Sequence, residues 1–479
     1  MKINIRLTAI KEPEQIFKVS REFQTKTLVS KRTVEVADAF GLGVDEEKKF
    51  TVYRDFTVDI NPGDVVYITG ESGSGKSILL RELADKIESY PEFKGVVRDW
   101  TLEINPDEIL VESVGSDTSE ALNILSQAGL NEANLFLRRY RELSDGQKYR
   151  FKIAKMIDSK KGAWILDEFC SMLDRTTAKV VAYCMQKAAR RLGKTLIAAT
   201  AHTDLLEDLN PNLHIIKHWG ADVEVKTYNP TPTECTLLKE VEIREASREE
   251  LKKLEHLHYK AKTPDNITKI YAAYINNELA GAIAYTPPIF SCRGRNKTLP
   301  EYKPTKPFKE YLKRLNRDFT RIARVIVAPK YRSIGLGAKL VKETMPLMDK
   351  KYVETLAVMA KYNPFFEKAG MKKIEVEEDK EYQRFLTKLE ALGFNIELLA
   401  SKQQNLKTVN TLSEEQLKTL QKLILTNIFA EKFHEDKKLQ EAVKRGDREA
   451  MAEALKHRRL NPTYLIWRNP LFLAASRQI

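Results

Sequence analysis

The sequence has few cysteines and no long apolar run. Its four cysteines lie far apart, and no pair has the CxxC spacing typical of zinc or redox sites. This scarcity argues against a disulfide framework or a structural zinc centre. No apolar stretch approaches the roughly 18 residues that span a bilayer. Residues 1–15 also lack the apolar core of a secretory signal. We therefore expect a reduced, cytoplasmic protein without a membrane segment.

The composition indicates a multidomain globular chain with an excess of positive charge. At 479 residues the chain exceeds the usual size of one domain, so two or three are expected. A hydrophobic content of 42% suffices for buried cores, and the formal net charge is +13. Such a charge is compatible with an anionic partner.

The segment GESGSGKS at 70–77 predicts a phosphate-binding loop. It follows the apolar, strand-like run 63–70 and precedes an amphipathic stretch, the order strand, G-x-x-x-x-G-K-S, helix. Glycines let the backbone curl so that its amides point towards phosphate oxygens. Lys76 can reach the β- and γ-phosphates, and the Ser77 hydroxyl can ligate Mg²⁺. The predicted nucleotide-binding residues of this loop are Gly70, Ser72, Gly73, Gly75, Lys76 and Ser77.

A second apolar run ends in two carboxylates. In AWILDE, at 163–168, Asp167 is placed to hold Mg²⁺ through water and Glu168 to polarise an attacking water. LSDGQ precedes this run at 143–147. Two further segments follow it, SMLD ending at Asp174 and LIAATAH ending at His202.

These motifs, in this order, resemble those of the ABC-type ATPases over residues 30–225. The resemblance implies that two nucleotide-binding domains pair head to tail, with ATP between the P-loop of one and Ser144 and Gly146 of the other. One copy per chain then implies a homodimer. His202 would contact the γ-phosphate and act with Lys76 and Glu168 in catalysis, and Asp174 would link the two sites. Phe40 is a candidate to stack on adenine, and a core phenylalanine is the alternative.

Two departures from the family pattern stand out. Asp145 occupies a signature position where the family commonly has glycine. The segment between Lys76 and Ser144 is short and has no Q-loop glutamine, with Glu112 only a weak stand-in. That segment couples transporters of the family to membrane partners. We therefore expect an ABC ATPase that acts on nucleic acids or macromolecular complexes.

A second glycine-rich loop, RSIGLGAKL, lies at 332–340, between a β-branched run and a helical stretch. Leu340 stands where a Rossmann fingerprint would have its third glycine, so a dinucleotide fold is not favoured. Successive amides from Ile334 to Ala338 at a helix N-terminus would form a nest for a pyrophosphate. Gly335 and Gly337 would let the ligand approach the backbone closely.

This loop resembles motif A of the GNAT acyltransferases, and FFEKAGM at 365–371 resembles their motif B. The match covers residues 236–380 and implies an acyl-coenzyme A ligand, usually acetyl-CoA. The residues that the resemblance assigns to this cofactor are Arg332, Ile334, Gly335, Leu336, Gly337, Ala338 and Asn363.

The acid–base chemistry of this second region stays open. Where many family members have a tyrosine that protonates the departing thiolate, this chain has Phe366, which cannot donate a proton. Tyr362 lies one helical turn earlier and is the candidate substitute, with a packing tyrosine as the alternative. His256 and His258 are candidates on the acceptor side. The region is thus either a transferase with unusual acid–base residues or a sensor that binds coenzyme A without catalysis.

A basic insertion occupies 291–324. It holds eleven lysines and arginines against three acidic residues, interleaved with Tyr302, Phe308, Tyr311 and Phe319. Basic groups mixed with aromatics are typical of a nucleic-acid surface. A solvated helix whose apolar residues face a core is the alternative.

The predicted fold is α/β. An ABC ATPase domain (1–228) precedes a GNAT-like α+β domain (236–380) and a helical extension (381–479), in which PTYLIW at 462–467 is a candidate last strand of the GNAT sheet. The predicted function is ATP hydrolysis combined with acyl transfer to nucleic acid or a nucleic-acid-associated substrate, including base modification. The alternatives are an ATP-driven nucleic-acid machine that senses acyl-CoA, and an acetyltransferase of a protein or metabolite.

Overall fold

The computed structural model describes residues 16–25, 28–43, 48–257, 264–376, 379–427, 431–456 and 462–475. Its backbone divides into two compact units. The first comprises Met1–Thr286 with Ile322–Met348, and the second Pro287–Arg321 with Asp349–Ile479. Each unit is considered in turn.

The strands are numbered in chain order. They are β1 (Ile16–Thr25), β2 (Lys48–Asp59), β3 (Val65–Gly70), β4 (Val96–Arg98), β5 (Ala163–Leu166), β6 (Thr195–Thr200), β7 (Leu213–Lys217), β8 (Val223–Thr227), β9 (Val241–Glu245), β10 (Lys269–Ile275), β11 (Glu278–Thr286), β12 (Phe319–Val327), β13 (Tyr352–Ala357), β14 (Lys372–Ile374) and β15 (Thr463–Arg468).

The α-helices are numbered in the same way. They are α1 (Lys31–Phe40), α2 (Lys76–Glu88), α3 (Thr118–Gln127), α4 (Ala133–Phe136), α5 (Asp145–Asp158), α6 (Arg175–Leu192), α7 (Leu206–Leu209), α8 (Thr236–Lys239), α9 (Arg248–Glu255), α10 (Arg293–Thr298), α11 (Phe308–Asp318), α12 (Leu336–Thr344), α13 (Phe365–Lys368), α14 (Lys380–Ala391), α15 (Lys402–Thr411), α16 (Glu414–Leu425), α17 (Glu431–Glu435), α18 (Lys437–Lys444), α19 (Arg448–Lys456) and α20 (Pro470–Ala475).

A six-stranded sheet in the order β4-β5-β6-β3-β7-β8 organises the N-terminal part of the first unit. Strand β3 pairs in parallel with β6 and β7, and only β8 runs antiparallel to its neighbour. Val65 and Tyr67 of β3 enter one hydrophobic core, whereas Val66 and Ile68 enter another on the opposite face. Because both faces are buried, these strands are continuously apolar rather than alternating.

The later part of the first unit contains strands in the order β12-β11-β10-β9. Strands β10 and β11 form an antiparallel hairpin, whose turn residues Asn276 and Asn277 have positive φ. Asparagine tolerates this left-handed conformation better than most residues. Helix α12 follows β12 through the loop 328–335.

The second unit contains strands in the order β14-β15-β13 and a helical region. Strand β15 pairs antiparallel with β13, with Tyr352 opposite Arg468. Helices α14 to α19 share one hydrophobic core that includes Leu389, Leu420 and Val443. None of the helices that the structure describes is long and apolar enough to cross a membrane.

A buried ionic cluster lies inside the second unit. Arg295 is fully buried, and its Nη1 donates to Glu354 Oε1 at 2.8 Å. The Tyr464 hydroxyl donates to Oε2 of the same carboxylate at 3.0 Å. Burial raises the pKa of Glu354, although Arg295 opposes the shift. Arg295 of the basic insertion is therefore a core residue rather than a surface arginine.

Candidate functional sites

The loop 70–77 has the shape that a phosphate cradle requires. Gly73 and Gly75 have φ of 78° and 104°, a region that disfavours residues with a side chain. A Cβ added to Gly75 would lie 2.4 Å from Val52 Cγ1. The Tyr53 hydroxyl donates to the Gly75 carbonyl at 3.0 Å. Gly75 precedes α2 without a side-chain cap, so the first amides of α2 are available to an anion.

Lys76 lies folded across this loop. Its ammonium donates to the carbonyls of Gly70 and Glu71 at 2.8 and 2.7 Å. Burial lowers the pKa of Lys76, and the carboxylates of Glu168 and Asp167 oppose that shift. A hydrogen bond from an ammonium to an anionic phosphate oxygen is stronger than one to a neutral carbonyl. We therefore expect Lys76 to exchange these carbonyls for phosphate oxygens when a nucleotide binds.

Ser77 and Asp167 fit a magnesium ion. The Ser77 hydroxyl donates to Asp167 Oδ1 at 2.9 Å. A hydroxyl oxygen and a carboxylate oxygen side by side are both groups that can hold Mg²⁺, directly or through water. No group of three or more His, Cys, Asp or Glu side chains able to hold a metal occurs in the described ranges. Magnesium that is bound mainly by water and phosphate does not need one.

Glu168 is set apart from Asp167 by its backbone. It follows β5 with φ of 47°, and its amide donates to Asp167 Oδ1 at 3.0 Å. The residue is exposed, whereas Asp167 is half-buried. A left-handed residue that is not glycine is strained and often marks a functional position. The geometry leaves Glu168 free to face a nucleotide and a water.

Asp99 is a site residue that the sequence did not reveal. It lies directly after β4, the neighbour of β5, and its Oδ1 accepts from the Asp167 amide at 3.2 Å. Burial, with a contribution from the Asp167 carboxylate, raises the pKa of Asp99 to about 6. Glu112, the stand-in suggested by the sequence, is exposed in a short 3-10 turn. Asp99 is the carboxylate that reaches the predicted magnesium ligand.

His202 lies two residues beyond β6 in a loop with several anchors. The Tyr67 hydroxyl donates to its carbonyl, and its amide donates to Thr200 Oγ1. Two residues on, Asp204 accepts from Arg175 Nε at 2.9 Å. Arg175 directly follows Asp174, so this ion pair joins the loop that contains His202 to the loop that contains Asp174.

Ser144, Gly146 and Asp174 occupy helix starts. Ser144 caps α5, where its amide donates to the Gln147 side chain at 3.0 Å. Asp145, the departure from the family signature, is 78% exposed. Asp174 caps α6 by accepting from Thr177. Burial raises the pKa of Asp174, but these hydrogen bonds and the charge of Lys330 lower it by more. The pKa of Asp174 therefore lies below its usual value.

Two aromatic residues bear on nucleotide binding. Phe40, the predicted adenine partner, ends α1 and is 76% exposed. Trp219 was not predicted. Its indole N–H donates to the Glu71 carboxylate, and a Cβ on Gly73 would lie 3.3 Å from its ring. Trp219 is 61% exposed beside the phosphate loop. Trp219 lies in the turn between β7 and β8. Because β7 pairs with β3, which leads into the phosphate loop, this turn lies beside the loop.

The second glycine loop also opens a helix. Gly335 precedes α12 with φ of 108° and no side-chain cap. A Cβ there would meet only Leu238 Cδ1, at 3.7 Å, so the positive φ rather than crowding calls for glycine. Ile334 and Leu336 are buried, whereas Gly337 and Ala338 are half-buried at the helix start. The first amides of α12 can therefore receive an anion.

Arg332 lies at the entrance of this loop, with its guanidinium bound to protein carbonyls. Its Nε donates to the Val327 carbonyl at 2.8 Å and its Nη1 to the Asn131 carbonyl at 2.6 Å. Burial lowers the pKa of Arg332, and nearby Glu132 opposes this effect. The sequence pattern predicted the loop but not these partners.

The remaining predicted acyl-transfer residues belong mainly to the second unit. Tyr362 is half-buried, with the Lys361 ammonium 5.6 Å from its ring centre, and Asn363 is exposed. Phe366 is buried against Phe365. In the first unit, His256 is exposed at the end of α9. His258 lies outside the described residues.

The basic insertion is divided between core and surface. Tyr302, Tyr311 and Phe319 are at most 5% exposed and share one hydrophobic core, so these three rings are not available to stack on bases. Phe308 is 48% exposed. Its exposed cations include Lys303, Lys306, Lys309 and Lys313.

Comparisons with known proteins match both regions. Residues 236–371 match the family model described as the acetyltransferase (GNAT) family. The cytochrome c biogenesis ATP-binding export protein CcmA of Vibrio parahaemolyticus is 26% identical over 192 residues, 35% of this chain and 91% of the relative. The methionine import ATP-binding protein MetN of Clostridioides difficile is 26% identical over 210 residues, 37% of this chain and 64% of the relative.

A solved structure is also similar. The dimeric structure of MJ0796, a bacterial ABC transporter cassette, matches 38% of this chain and 94% of its own, with 18% identity and a TM-score of 0.32. The family match, the ATP-binding relatives and the motif order agree with the two resemblances read from the sequence. Residues 236–371 thus match the GNAT acetyltransferase family, and the N-terminal part is similar to ABC-type ATP-binding proteins, which together support a fusion of these two kinds of domain.

Proposed function

We propose that the chain hydrolyses ATP at the loop 70–77 and transfers an acyl group from coenzyme A at the loop 332–338. One observation carries the proposal. Two helix starts share the same glycine conformation, at Gly75 and Gly335, but only the first has a hydrogen-bonded serine and aspartate beside it. The first suits a hydrolysed triphosphate with magnesium, and the second suits a pyrophosphate that is held without hydrolysis.

At the first site the chain's residues have separate tasks. The amides of the loop and Lys76 bind the phosphates, and Ser77 and Asp167 hold the ion. Magnesium, when bound, neutralises charge on the β- and γ-phosphates. Glu168 orients the attacking water and accepts its proton, while His202 contacts the γ-phosphate. Ser144 and Gly146 serve the P-loop of a second copy, so hydrolysis requires a homodimer.

At the second site the amides from Ile334 to Ala338 hold the pyrophosphate of acetyl-CoA. The family resemblance also assigns Asn363 to this cofactor. The acceptor's lone pair forms a bond to the acyl carbon as the carbon–sulfur bond breaks. The family resemblance assigns to Tyr362 the proton that the departing thiolate takes up, since Phe366 cannot donate one, and the proton that the acceptor loses restores the phenol. The product pair is the acylated acceptor and free coenzyme A.

Calorimetry on the full chain tests the cofactor assignment. Ala338→Glu places a carboxylate among the amides of the nest and is expected to weaken acetyl-CoA binding at least about tenfold through charge repulsion. Lys342→Glu introduces the same residue at an exposed position later in α12 and serves as the matched control. Equal losses in both variants, or none in either, contradict the assignment.

The exposed lysines favour an anionic acceptor, for which we propose nucleic acid. Lys306, Lys309 and Lys313 are exposed in and next to α11, and Lys309 and Lys313 are spaced to share one helix face. If they bind phosphates, the affinity for an oligonucleotide falls linearly on a log–log plot against salt. Replacing all three by glutamine then reduces the slope by about two to three. A slope near zero in the parent chain points instead to a protein or metabolite acceptor.

Turnover separates a transferase from a sensor. The chain is incubated with acetyl-CoA and a panel of oligonucleotides, proteins and amines. If it is a transferase, mass spectrometry detects an acetyl group added to one of these acceptors. Binding of acetyl-CoA without release of free coenzyme A on any acceptor identifies the domain as a sensor.

A further inference from the structure

A direct connection joins the ATPase motifs to the acyl-coenzyme A loop. We call residues 126–132, which lead from the end of α3 to α4, the bridging segment. Within the first unit it receives hydrogen bonds from Arg332 and Ser333, about 200 residues later in the chain. Arg332 Nη1 donates to the Asn131 carbonyl at 2.6 Å. The Ser333 hydroxyl donates to the Ser126 carbonyl at 2.7 Å.

Ser333 is held on both sides of its hydroxyl. Besides donating to Ser126, the oxygen accepts from Asn131 Nδ2 at 3.0 Å. Its backbone has φ of 69°, a left-handed conformation that is strained for a serine. Such a conformation persists only where the surroundings enforce it. The bridging segment therefore helps to hold the shape of the loop immediately before the predicted pyrophosphate nest.

The other end of the connection is the ABC signature. Arg150 of α5 donates through Nε to the Gly146 carbonyl at 3.2 Å. Its Nη1 donates to the Gly129 carbonyl at 2.8 Å. One largely buried guanidinium thus ties the signature glycine to the bridging segment. A second link runs nearby, because the charge of Lys330 acts on Asp174.

We infer that Ser126 and Asn131 of the ATPase region are positioning residues for the acyl-coenzyme A loop, so that ATP binding at the signature sets the affinity for acyl-CoA. This inference rests on the proposed function of both loops. ATP sandwiched against Ser144 and Gly146 fixes the start of α5. Arg150 is bonded to both Gly146 and Gly129, so a fixed α5 also restrains the bridging segment. The bridging segment in turn restrains Ser333 through Ser126 and Asn131. An ordered loop binds its ligand more tightly than one that must be ordered on binding.

Thermodynamic linkage makes the coupling measurable from both ends. If ATP tightens acetyl-CoA binding by some factor, acetyl-CoA must tighten ATP binding by the same factor. A purely structural contact produces neither shift. Coupling between sites in proteins is commonly about 5- to 150-fold, so a shift of at least about fivefold is expected.

The experiment uses the full chain carrying Glu168→Gln, which we expect to hold ATP without hydrolysing it. Calorimetry measures the Kd of acetyl-CoA with and without ATP and Mg²⁺, and the Kd of ATP with and without acetyl-CoA. We expect both to tighten by the same factor. If acetyl-CoA binds but ATP leaves its affinity unchanged, the coupling is disproved while the acyl-CoA site stands, and if ATP weakens that affinity, the inferred positioning of the loop by the bridging segment is disproved. If acetyl-CoA binds in no nucleotide state, both the site and the coupling are disproved.

Two substitutions at Ser333 distinguish a role in positioning the loop from a general loss of loop structure. Ser333→Ala keeps the backbone strain and loses both hydrogen bonds, so acetyl-CoA binding without nucleotide should weaken about 2- to 10-fold. Ser333→Gly loses the same hydrogen bonds but adopts positive φ without strain. It should recover most of that affinity and yet lose most of its response to ATP, because only the contact of Arg332 with the Asn131 carbonyl then joins the loop to the bridging segment. A response to ATP as large as that of the parent chain in Ser333→Gly overturns the inference.

Ser89→Ala is the matched control, because its hydroxyl donates to the Lys86 carbonyl at 2.6 Å at the end of α2, outside the connection. It should keep the full response to ATP. Asn131→Ala, which leaves Ser333 its bond to Ser126, should lose part of the response. These two variants test the connection even if the Ser333 variants fold poorly.

Discussion

Gly75 and Gly335 hold the same place in two loops of this chain. Each directly precedes a helix, with φ and ψ of 104° and 12° at Gly75 and of 108° and 3° at Gly335. Around Gly75 the chain supplies a lysine, a serine and two carboxylates. Around Gly335 the described hydrogen bonds of Arg332 and Ser333 run to backbone carbonyls and one asparagine.

The two loops have the same shape and can both bind an anion, but they differ in the side chains around them. In the proposed function these side chains decide whether the bound ligand is hydrolysed. A helix start with glycine at positive φ presents amides to any phosphate. Hydrolysis also needs a metal ligand and a group that orients water, and in the proposed function Asp167 and Glu168 provide them beside the first loop. The following predictions alter one loop at a time.

The largest effect is expected at Glu168. Glu168→Gln keeps the size of the side chain and removes its ability to accept a proton, so ATP hydrolysis should slow by about 10²- to 10⁴-fold. Acetyl-CoA affinity in the absence of nucleotide should not change, because the second loop has no part in this step. Phosphate release and calorimetry measure the two quantities. Glu112→Gln, at an exposed glutamate of the same region, is the control, and a loss below about tenfold in Glu168→Gln contradicts the assignment.

The next prediction compares the two glycines directly. Gly335→Ala should cost about 1–2 kcal/mol for the left-handed backbone alone. Gly75→Ala carries the same backbone cost, and a further cost of about 1–3 kcal/mol comes from the 2.4 Å approach to Val52. Thermal unfolding of the two variants in parallel should show the larger loss for Gly75→Ala. Equal losses would mean that Val52 moves aside freely.

The sequence predicted the parts of both sites that are contiguous. The strand before Gly70 and the helix from Lys76 are confirmed, because their signals lie in local periodicity and in the glycine-rich motif between them. The resemblance to the two families was carried by motifs of the same local kind.

Contacts between distant segments could not be predicted in this way. Asp99 reaches Asp167 only because β4 pairs with β5, across 68 residues of sequence. Arg332 meets Asn131 across 201 residues, and no periodicity encodes that meeting. Tyr302 and Tyr311 looked like stacking residues, but their neighbours in the fold bury them. Burial is decided by tertiary packing, which a local pattern reports only in part.

A pH-dependent prediction tests the acidic surroundings that only the first loop has. In the folded chain the pKa of Asp99 is about 6, above the usual value of an aspartate, because the carboxyl is buried. Between pH 4 and 6 the folded chain keeps a proton that the unfolded chain releases, so this contribution to stability is present at pH 4 and lost as the pH rises through 6. Asp99→Asn stays neutral and can still accept from the Asp167 amide.

The variant should therefore gain stability relative to the parent chain from pH 4 to 6, with a constant difference above about pH 7. Unfolding midpoints across this range measure it. Asp38→Asn, at an exposed position of α1, should show no such trend. A flat difference for Asp99→Asn would show that Asp99 ionises normally in the fold.

The smallest expected effect concerns Trp219, which lies beside the first loop and has no counterpart among the described neighbours of Gly335. Trp219→Phe removes the hydrogen bond to Glu71 but keeps a ring near Gly73, so stability should fall by only about 0.5–1.5 kcal/mol. The indole is half-exposed, and its fluorescence depends on the charge and water around it. ATP binding at the loop should change the emission of the parent chain, and Trp219→Phe should lose most of that change.

Trp100→Phe is the control, because Trp100 is exposed to 37% and lies against Arg81 rather than against the loop. It should keep the response of the parent chain to ATP. In nucleotide-free Trp219→Phe, acetyl-CoA should still bind with unchanged affinity. A response to ATP that survives in Trp219→Phe would place the reporter elsewhere, and a weakened affinity for acetyl-CoA would mean that Trp219 acts on both loops rather than on the hydrolytic one alone.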